Sequence, residues 1–213
     1  LFGEEVVVSA SLFEQNILTA PVSIEKLDIL DIEQSSAANF YDELYKIKGV
    51  DMIVQSLSMR FPNTRGFNGN TNYRINQLVD GVNNSAPGLS FSPGNIFGLV
   101  QLDVESVELV VGASSALYGP GGMNGTLLMT SKNPFEYEGL SVSLQGGVMH
   151  FDNDYDKDPS FMNDFSFRYG KKVSNKVAFK ITGGYLKADD WQASDYRNKL
   201  NLTNPNSGRW TDS

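Results

Sequence analysis

Two patterns of apolar and polar residues divide the chain near Asn133. Before this residue the apolar runs are short and mix helical with strand-like spacing. After it, apolar positions alternate with polar or small ones in three segments, which is the period of β-strands. Their apolar members are Val142, Leu144 and Val148, then Phe165, Phe167 and Tyr169, then Val177, Phe179, Ile181 and Tyr185. The pattern predicts an α+β domain followed by antiparallel strands with one apolar face.

Residues 37–48 give the clearest helical pattern of the first region. Phe40, Leu44 and Ile47 recur at positions i, i+4 and i+7, which places them on one helix face. Gly49 follows where a left-handed C-terminal cap is expected. We therefore predict a helix over residues 37–48.

Shorter elements surround this helix and complete the first region. Strands are predicted over residues 22–27, 50–57, 73–79, 106–111 and 126–130, one or two helical turns over residues 28–34, and a loop over residues 83–98. Together they indicate one compact unit with a short mixed sheet and short helices.

The connections between the three later strands differ in length and charge. Residues 152–164 form a long acidic segment, whereas residues 170–176 are short and basic. Outer-membrane barrels have long extracellular loops and short periplasmic turns, so this order indicates that the first connection is external and the second periplasmic. The same alternation also fits an antiparallel sheet on a soluble core, and the pattern leaves this alternative open.

Three strands cannot close a barrel, and an open edge in lipid would leave unpaired backbone groups. If these are membrane strands, further strands must exist elsewhere. We therefore expect residues 134–213 to be the first part of a larger barrel, in which residues 188–213 form a second external loop.

Composition removes several kinds of chemistry. The net charge is −8, His150 is the single histidine, and cysteine is absent. These facts argue against a nucleic-acid partner, thiolate catalysis and histidine or cysteine metal sites. The aspartates between 152 and 158 resemble half of a calcium loop but lack its glycine and terminal glutamate. We predict no catalytic residue, no cofactor and no metal.

Five segments, in order along the chain, resemble the TonB-dependent outer-membrane receptors, particularly those of Bacteroidetes-like bacteria. They are residues 5–10 (EVVVSA, similar to a TonB box), 41–50 (YDELYKIKGV), 64–67 (TRGF), 77–82 (QLVDGV) and 104–132 (VESVELVVGASSALYGPGGMNGTLLMTSK). The last of these, the closing signature of the plug, is the most specific.

The resemblance implies a plug domain over residues 22–133, a flexible segment over residues 1–21, and a barrel of about 22 strands that begins within residues 134–213. One departure is Val111, where the family usually has an arginine before the glycine, so an ion pair through that arginine is missing. Arg65 remains, and the resemblance implies that it pairs with a carboxylate on the barrel wall.

The resemblance also implies import of a ligand that the chain does not identify, across the outer membrane and in contact with its lipid. A TonB-like periplasmic protein would be engaged by β-strand addition, through Glu5, Val6, Val7, Val8, Ser9 and Ala10. The ligand would face plug loops containing Asn68, Asn70, Asn72, Tyr73, Asn83, Asn84 and Phe91.

Two other functions stay open from the sequence. The chain could be a structural or docking subunit of an outer-membrane assembly, for which an outer-membrane lipoprotein is a candidate partner. It could also be a soluble β-rich binding domain, which requires Phe167 and Phe179 to face a protein core instead of lipid.

Overall fold

The computed structural model describes residues 6–7, 15–16, 24–34, 39–66, 69, 71, 73–92, 94–149 and 159–189. Its strands are β1 Val6–Val7, β2 Gln15–Asn16, β3 Ile24–Asp28, β4 Val50–Ser56, β5 Met59–Thr64, β6 Ile75–Val79, β7 Val82–Asn83, β8 Val104–Val111, β9 Gly125–Ser131, β10 Gly139–Met149, β11 Ser160–Ser174 and β12 Val177–Lys187. Its α-helices are α1 Ile29–Glu33 and α2 Ser115–Tyr118, and 3-10 helices cover Phe40–Lys46 and Gln101–Asp103. Among these helices none is long and apolar enough to cross a membrane.

The first region is built on a five-stranded sheet with the order β3-β8-β9-β6-β7. The β6–β9 pair is parallel and the other pairs are antiparallel. Strands β4 and β5 form a separate hairpin. The predicted combination of a short mixed sheet with short helices is confirmed.

A single apolar core lies between this sheet and the 3-10 helix at 40–46. Its buried members are Ile32, Phe40, Tyr41, Leu44, Ile47, Val50, Val104, Val107, Leu109, Leu127 and Met129. Burying one such side chain contributes about 1.5 to 3 kcal/mol. The helical face predicted from the spacing of Phe40, Leu44 and Ile47 is therefore the face that enters the core.

The type and length of this helix differ from the prediction for residues 37–48. The helix begins at Phe40, because the Asn39 side chain accepts a hydrogen bond from the Tyr41 N–H at 2.9 Å. It ends at Ile47, whose N–H donates to the Leu44 carbonyl three residues earlier and whose backbone is extended. A 3-10 helix over Phe40–Lys46 thus replaces the longer helix that spacing alone suggested.

Strand β5 was missed by the sequence patterns. It contains Pro62, which has no N–H for a ladder hydrogen bond and therefore argues against a central strand. In the structure β5 pairs only with β4, so the proline costs no ladder bond within a larger sheet.

The second region is an antiparallel sheet with the order β10-β11-β12. Its register places Val142 beside Phe167, and Phe167 beside Gly183, so apolar residues of all three strands share one face. A side-chain atom at Gly183 would lie 2.7 Å from the Phe167 ring, so this ring lies over the glycine. The predicted alternation of faces is confirmed.

The turn predicted over residues 170–176 was wrong in its length. Strand β11 continues to Ser174, and only Asn175 and Lys176 separate it from β12. Lys171 and Lys172 pair with Phe179 and Ala178 as strand residues, because a long lysine side chain carries its charge to water from a strand end. The first connection is also shorter than residues 152–164, since β11 begins at Ser160.

The apolar face of the second region is exposed. Leu144 is 77% exposed, Phe161 72% and Phe179 42%. Within the described ranges no element covers this face, whereas a sheet on a soluble core would bury it. Of the two side chains that decide between the alternatives, Phe179 is exposed and Phe167, on the same face, is half-buried, so neither enters a protein core.

Candidate functional site

A cavity of about 430 Å³ lies between the first region and the polar face of the second. Its volume falls in the range of about 300 to 1,000 Å³ typical of small-molecule sites. Strands β10 and β11 contribute Ser143, Gln145, Asp164 and Ser166, and the first region contributes Asn95 and Gln101 beside the aliphatic Leu99, Val100 and Leu102. The lining suits a ligand that combines hydrogen-bonding groups with apolar surface.

The cavity lies toward one end of the second region. Gln145 and Asp164 pair across β10 and β11. Each is four residues from the strand end, at Met149 or Ser160, to which the long connection is attached. The cavity is therefore on the side of the long connection, away from the tight turn between β11 and β12.

Residues 94–100, here called the cavity loop because most of them line the cavity, are held against the β4–β5 hairpin. Gly94 has a φ of 63°, and a Cβ atom there would lie 2.5 Å from the Arg60 carbonyl oxygen. Asn95 accepts a hydrogen bond from the Arg60 N–H at 3.1 Å and donates to the Leu57 carbonyl at 3.4 Å. This approach requires glycine at position 94, because other residues would both strain the backbone and clash.

A buried polar network ties the same loop to the sheet. Gln77 Oε1 accepts hydrogen bonds from the Tyr41 hydroxyl at 2.9 Å and the Ser92 hydroxyl at 3.0 Å. Burial raises the pKa of Tyr41, so its hydroxyl stays protonated and can donate. This network was not predicted from the sequence, although the two adjacent amides Asn76 and Gln77 in a short strand were a signal for it.

None of the predicted ligand-facing residues that the structure describes lines the cavity. Tyr73 and Phe91 form an edge-on ring contact with centroids 5.3 Å apart. Asn84 donates to the Phe97 carbonyl at 2.6 Å, which positions the chain beside the cavity loop. Asn83 accepts from the Ser85 N–H at 2.9 Å and closes a local turn. The predictions for Asn68, Asn70 and Asn72 lie outside the described residues.

The segment similar to a TonB box is described only at Val6 and Val7. These residues form β1 and pair antiparallel with Gln15 and Asn16 of β2. The other residues of the predicted interaction site, Glu5, Val8, Ser9 and Ala10, lie outside the described residues. The structure thus shows strand conformation within the segment.

Arg65 lies in the turn after β5, with a φ of 61° and an exposed side chain. A Cβ atom at Gly112 would lie 2.8 Å from Arg65 Nη2, so the glycine leaves room for the guanidinium group. Among the described residues Arg65 pairs with no carboxylate. Its pairing with a barrel wall stays a prediction.

A buried charge cluster joins the two regions. Asp103 accepts from Arg168 Nε through Oδ1 and from Lys180 Nζ through Oδ2, both at 2.7 Å. The side chains of Asp103 and Arg168 are each 3% exposed. Charged hydrogen bonds of this length are among the strongest contacts in proteins.

Backbone and hydroxyl groups complete the cluster. Arg168 also donates to the carbonyls of Tyr137 at 2.9 Å and Lys132 at 3.3 Å. Lys180 donates to Ser131 Oγ at 2.5 Å and to the Lys132 carbonyl at 3.1 Å. Sequence reasoning treated Arg168 only as a polar member of an alternating strand; an arginine near the centre of a membrane strand was the available signal.

The glycine-rich part of the closing signature is a structural turn. A Cβ atom at Gly121 would lie 2.4 Å from Asn76 Oδ1, and Asn76 Nδ2 donates to the Tyr118 carbonyl at 3.1 Å. Ser114 is buried and bonds to Thr126 at 2.6 Å. The turn therefore closes around the Asn76 side chain.

These features define a domain that packs on the polar face of strands whose other face is apolar and exposed. Residues 16–126, just over half of the chain, match the sequence profile of the TonB-dependent Receptor Plug Domain. The chain therefore belongs to the TonB-dependent receptor family, whose members lie in the outer membrane with the plug inside a β-barrel. The Bacteroidetes-like origin stays a prediction.

Related proteins have names that fit this family. The chain is 28% identical to the vitamin B12 transporter BtuB of Vibrio vulnificus, over 93% of this chain and 30% of that protein. It is 26% identical to the heme/hemopexin utilization protein C of Haemophilus influenzae, over 86% of this chain and 27% of that protein. The chain thus spans less than a third of the length of these relatives, which are transport and utilization proteins and not enzymes.

Solved structures with the same fold are outer-membrane receptors. The ferripyoverdine receptor of Pseudomonas aeruginosa superposes with a TM-score of 0.60 at 18% identity, over 85% of this chain and 22% of that one. The ferric enterobactin receptor of the same organism gives 0.60 at 18% identity, over 93% and 28%. The likeness includes both plug and opening strands, which confirms the predicted fold class.

Proposed function

We propose that this chain is the plug and opening wall of an importer whose ligand binds in the cavity between them. The cavity carries this proposal, because its lining comes from both plug and wall and it lies on the side of the long connection. Long connections of outer-membrane barrels are extracellular, so a ligand would reach the cavity from outside. Because plug and wall both line the cavity, movement of the plug would change the contacts that hold the ligand.

The proposed boundaries are a flexible segment at 1–21, the plug at 22–133 and barrel strands from 134 onward. The plug sheet ends with Ser131, and the first wall strand begins at Gly139, which supports a division between them. The exposed apolar face of β10, β11 and β12 supports contact with outer-membrane lipid.

The ligand is proposed to be a compact molecule rich in hydrogen-bonding groups, such as an iron chelate, a haem or a cobalamin. The names of the relatives support this class, and so does the mixed lining of the cavity. The loops around residues 68–73 and 83–91 would contact its outer side. Arg65 would pair with a carboxylate of the wall.

Residues 5–10 are proposed to add as a strand to the sheet of a TonB-like periplasmic protein. The strand conformation of Val6 and Val7 supports this role, because the same backbone groups that pair with Gln15 and Asn16 could pair with a partner. The partner would compete with this internal pairing.

Deletion of residues 5–10 from the full-length receptor tests the proposal. Cells that lack their other receptors would be given labelled cyanocobalamin, haem and ferric siderophores. Uptake of the accepted probe should be lost while its binding to cells persists. Val7→Pro should act like the deletion, because proline removes a strand N–H, whereas Leu12→Pro, outside the segment, serves as the control. Undiminished uptake after the deletion would contradict the mechanism.

Docking to an outer-membrane lipoprotein has less support. The absence of arginine at Val111 suggested a loosely held plug, but the cluster at Asp103 ties the plug to the wall. Purification of the native receptor without ligand checks this alternative, and a stoichiometric lipoprotein would favour docking.

A further inference from the structure

We propose that Asp103, Arg168 and Lys180 form a stationary anchor, which holds the central strands β8 and β9 of the plug sheet to the wall while the edge strand β3 moves. This inference rests on the import function proposed above. It assigns positioning roles to three residues, none of which belongs to the TonB-box-like segment.

The charges of the anchor oppose partial separation of its side chains. One carboxylate is shared by two cations, and the side chains of Asp103 and Arg168 are almost completely shielded from water. Removing one partner of a buried pair is strongly destabilising, because the remaining charge is left without compensation. Loss of Asp103 is the most severe case, since two cations would then face each other.

The anchor holds two adjacent strands of the plug sheet at one of their ends. Asp103 immediately precedes β8, and Ser131 and Lys132 lie at the end of β9. Because β8 and β9 are antiparallel, these two ends lie side by side. Both strands are inside the five-stranded sheet, so the anchor fixes its centre.

The N-terminal segment reaches the sheet at the opposite end of β8. It enters β3 at Ile24, which pairs with Val110, whereas the anchor adjoins Val104. Strand β3 is at the sheet edge and pairs with β8 alone, through five residue pairs. A pull on the N-terminal segment therefore loads β3 first and reaches the anchor mainly through the β3–β8 pairing.

The other link between β3 and the anchored segment is weaker. Helix α1 follows β3, and its Glu33 pairs with Lys132 at 3.0 Å. The Glu33 side chain is 56% exposed, and exposed ion pairs contribute little because water screens them. An arginine in place of Val111 would have been at the C-terminal end of β8. Without it, the contact between β8 and the wall that remains is at the N-terminal end, next to Asp103.

Hydrogen exchange of the full-length receptor in lipid vesicles, without an energy source, tests the contact. Asp103→Asn should increase exchange of the β8 and β9 amides roughly 100-fold, and Lys180→Gln about tenfold, because the latter leaves the Asp103–Arg168 pair. Glu33→Gln removes a carboxylate from the neighbouring exposed pair and should change exchange less than about threefold. Exchange in both anchor variants within the range of Glu33→Gln would overturn the proposal. If Asp103→Asn does not insert into membranes, Lys180→Gln decides.

Cysteine labelling during uptake tests which edge moves. Residues 1–213 contain no cysteine, so once any cysteine elsewhere in the full-length receptor is replaced, Glu25→Cys in β3 and Ser106→Cys in β8 each introduce one label site. With the accepted probe from the uptake panel, a periplasmic maleimide should label Glu25→Cys in energised cells and leave Ser106→Cys unlabelled. In the Lys180→Gln background Ser106→Cys should also be labelled. If Lys180 only stabilised the fold, Lys180→Gln would leave the difference in labelling between Glu25→Cys and Ser106→Cys unchanged.

Labelling of both sites at equal rates in the otherwise unaltered receptor would overturn the stationary anchor. Labelling of neither site during active uptake would overturn the moving β3 edge. If the unaltered receptor takes up no probe, the result contradicts the proposed import function, and with it the proposal that β3 moves. The exchange experiment needs no uptake, so it separates that failure from a failure of the Asp103 contact.

Discussion

The plug and the wall strands distribute apolar and charged residues in opposite ways. In the plug, Phe40 is 2% exposed within the core, whereas in the wall Phe161 is 72% exposed. The wall instead buries Arg168, at 2% exposure, against the plug. The difference shows that the two regions fold in different ways: the plug buries its own apolar core, while the wall packs its polar face on the plug and leaves its apolar face exposed.

Truncation of the same residue type in both regions should give the largest contrast. Phe40→Ala should destabilise the plug by about 3 to 5 kcal/mol, because it leaves a cavity in a packed core. Phe161→Ala should change plug stability by less than about 0.5 kcal/mol, since the ring does not contact the plug core. Urea unfolding of the full-length receptor, followed by exchange of plug amides, measures both, and equal losses would refute the contrast.

A charge placed on each face of one wall strand should give the next largest effect. Leu144→Arg places a cation on the exposed apolar face and should cost about 2 to 4 kcal/mol near the bilayer centre. The adjacent Gln145→Arg points to the cavity and is the matched control, with a smaller cost. Folding of full-length receptors into vesicles at graded urea concentrations compares them; a greater cost for Gln145→Arg would reverse the assignment of faces.

Two glycines of the wall should differ in their tolerance of a methyl group. Gly183→Ala should cost about 1 to 3 kcal/mol, because the new atom would overlap the Phe167 ring. Gly146→Ala meets no atom within 4 Å and should be nearly neutral. The same urea titration reports both, and the account of the Phe167 contact fails if the two variants behave alike.

The smallest effect at neutral pH concerns Tyr41. Burial raises its pKa in the fold, so above pH 10 the unfolded chain loses a proton that the folded plug retains. This contribution to stability is complete below pH 10 and is lost as the pH rises, by at most about 1.4 kcal/mol per pH unit. Tyr41→Phe should flatten the pH dependence of plug unfolding between pH 10 and 11. An unchanged slope would show that Tyr41 does not cause it.

The sequence predicted features that depend on local periodicity. The spacing of Phe40, Leu44 and Ile47 identified a buried face, and alternation identified the apolar face that includes Leu144 and Phe179. Both follow from the fixed direction of side chains in helices and strands. The closing signature identified the family, which the comparison with known proteins confirms.

Features that depend on long-range contact were not predictable in this way. Asp103 and Arg168 are 65 positions apart in sequence, and no local pattern indicates that they meet. The fit of Gly94 against Arg60 depends likewise on two separate segments. Strand β5 was hidden by Pro62, and the length of the β11–β12 turn was misjudged because lysines continue the strands.

Spin labels along β10 test most directly the central claim that these strands are a wall between lipid and plug. Residues 1–213 contain no cysteine, so single cysteines at positions 140 to 145 can each carry one nitroxide in a full-length receptor from which any other cysteine has been replaced. In lipid vesicles, oxygen collision rates should peak at Leu140, Val142 and Leu144 and fall at Ser141, Ser143 and Gln145. Rates that do not alternate, or that peak at the second set, would contradict the account.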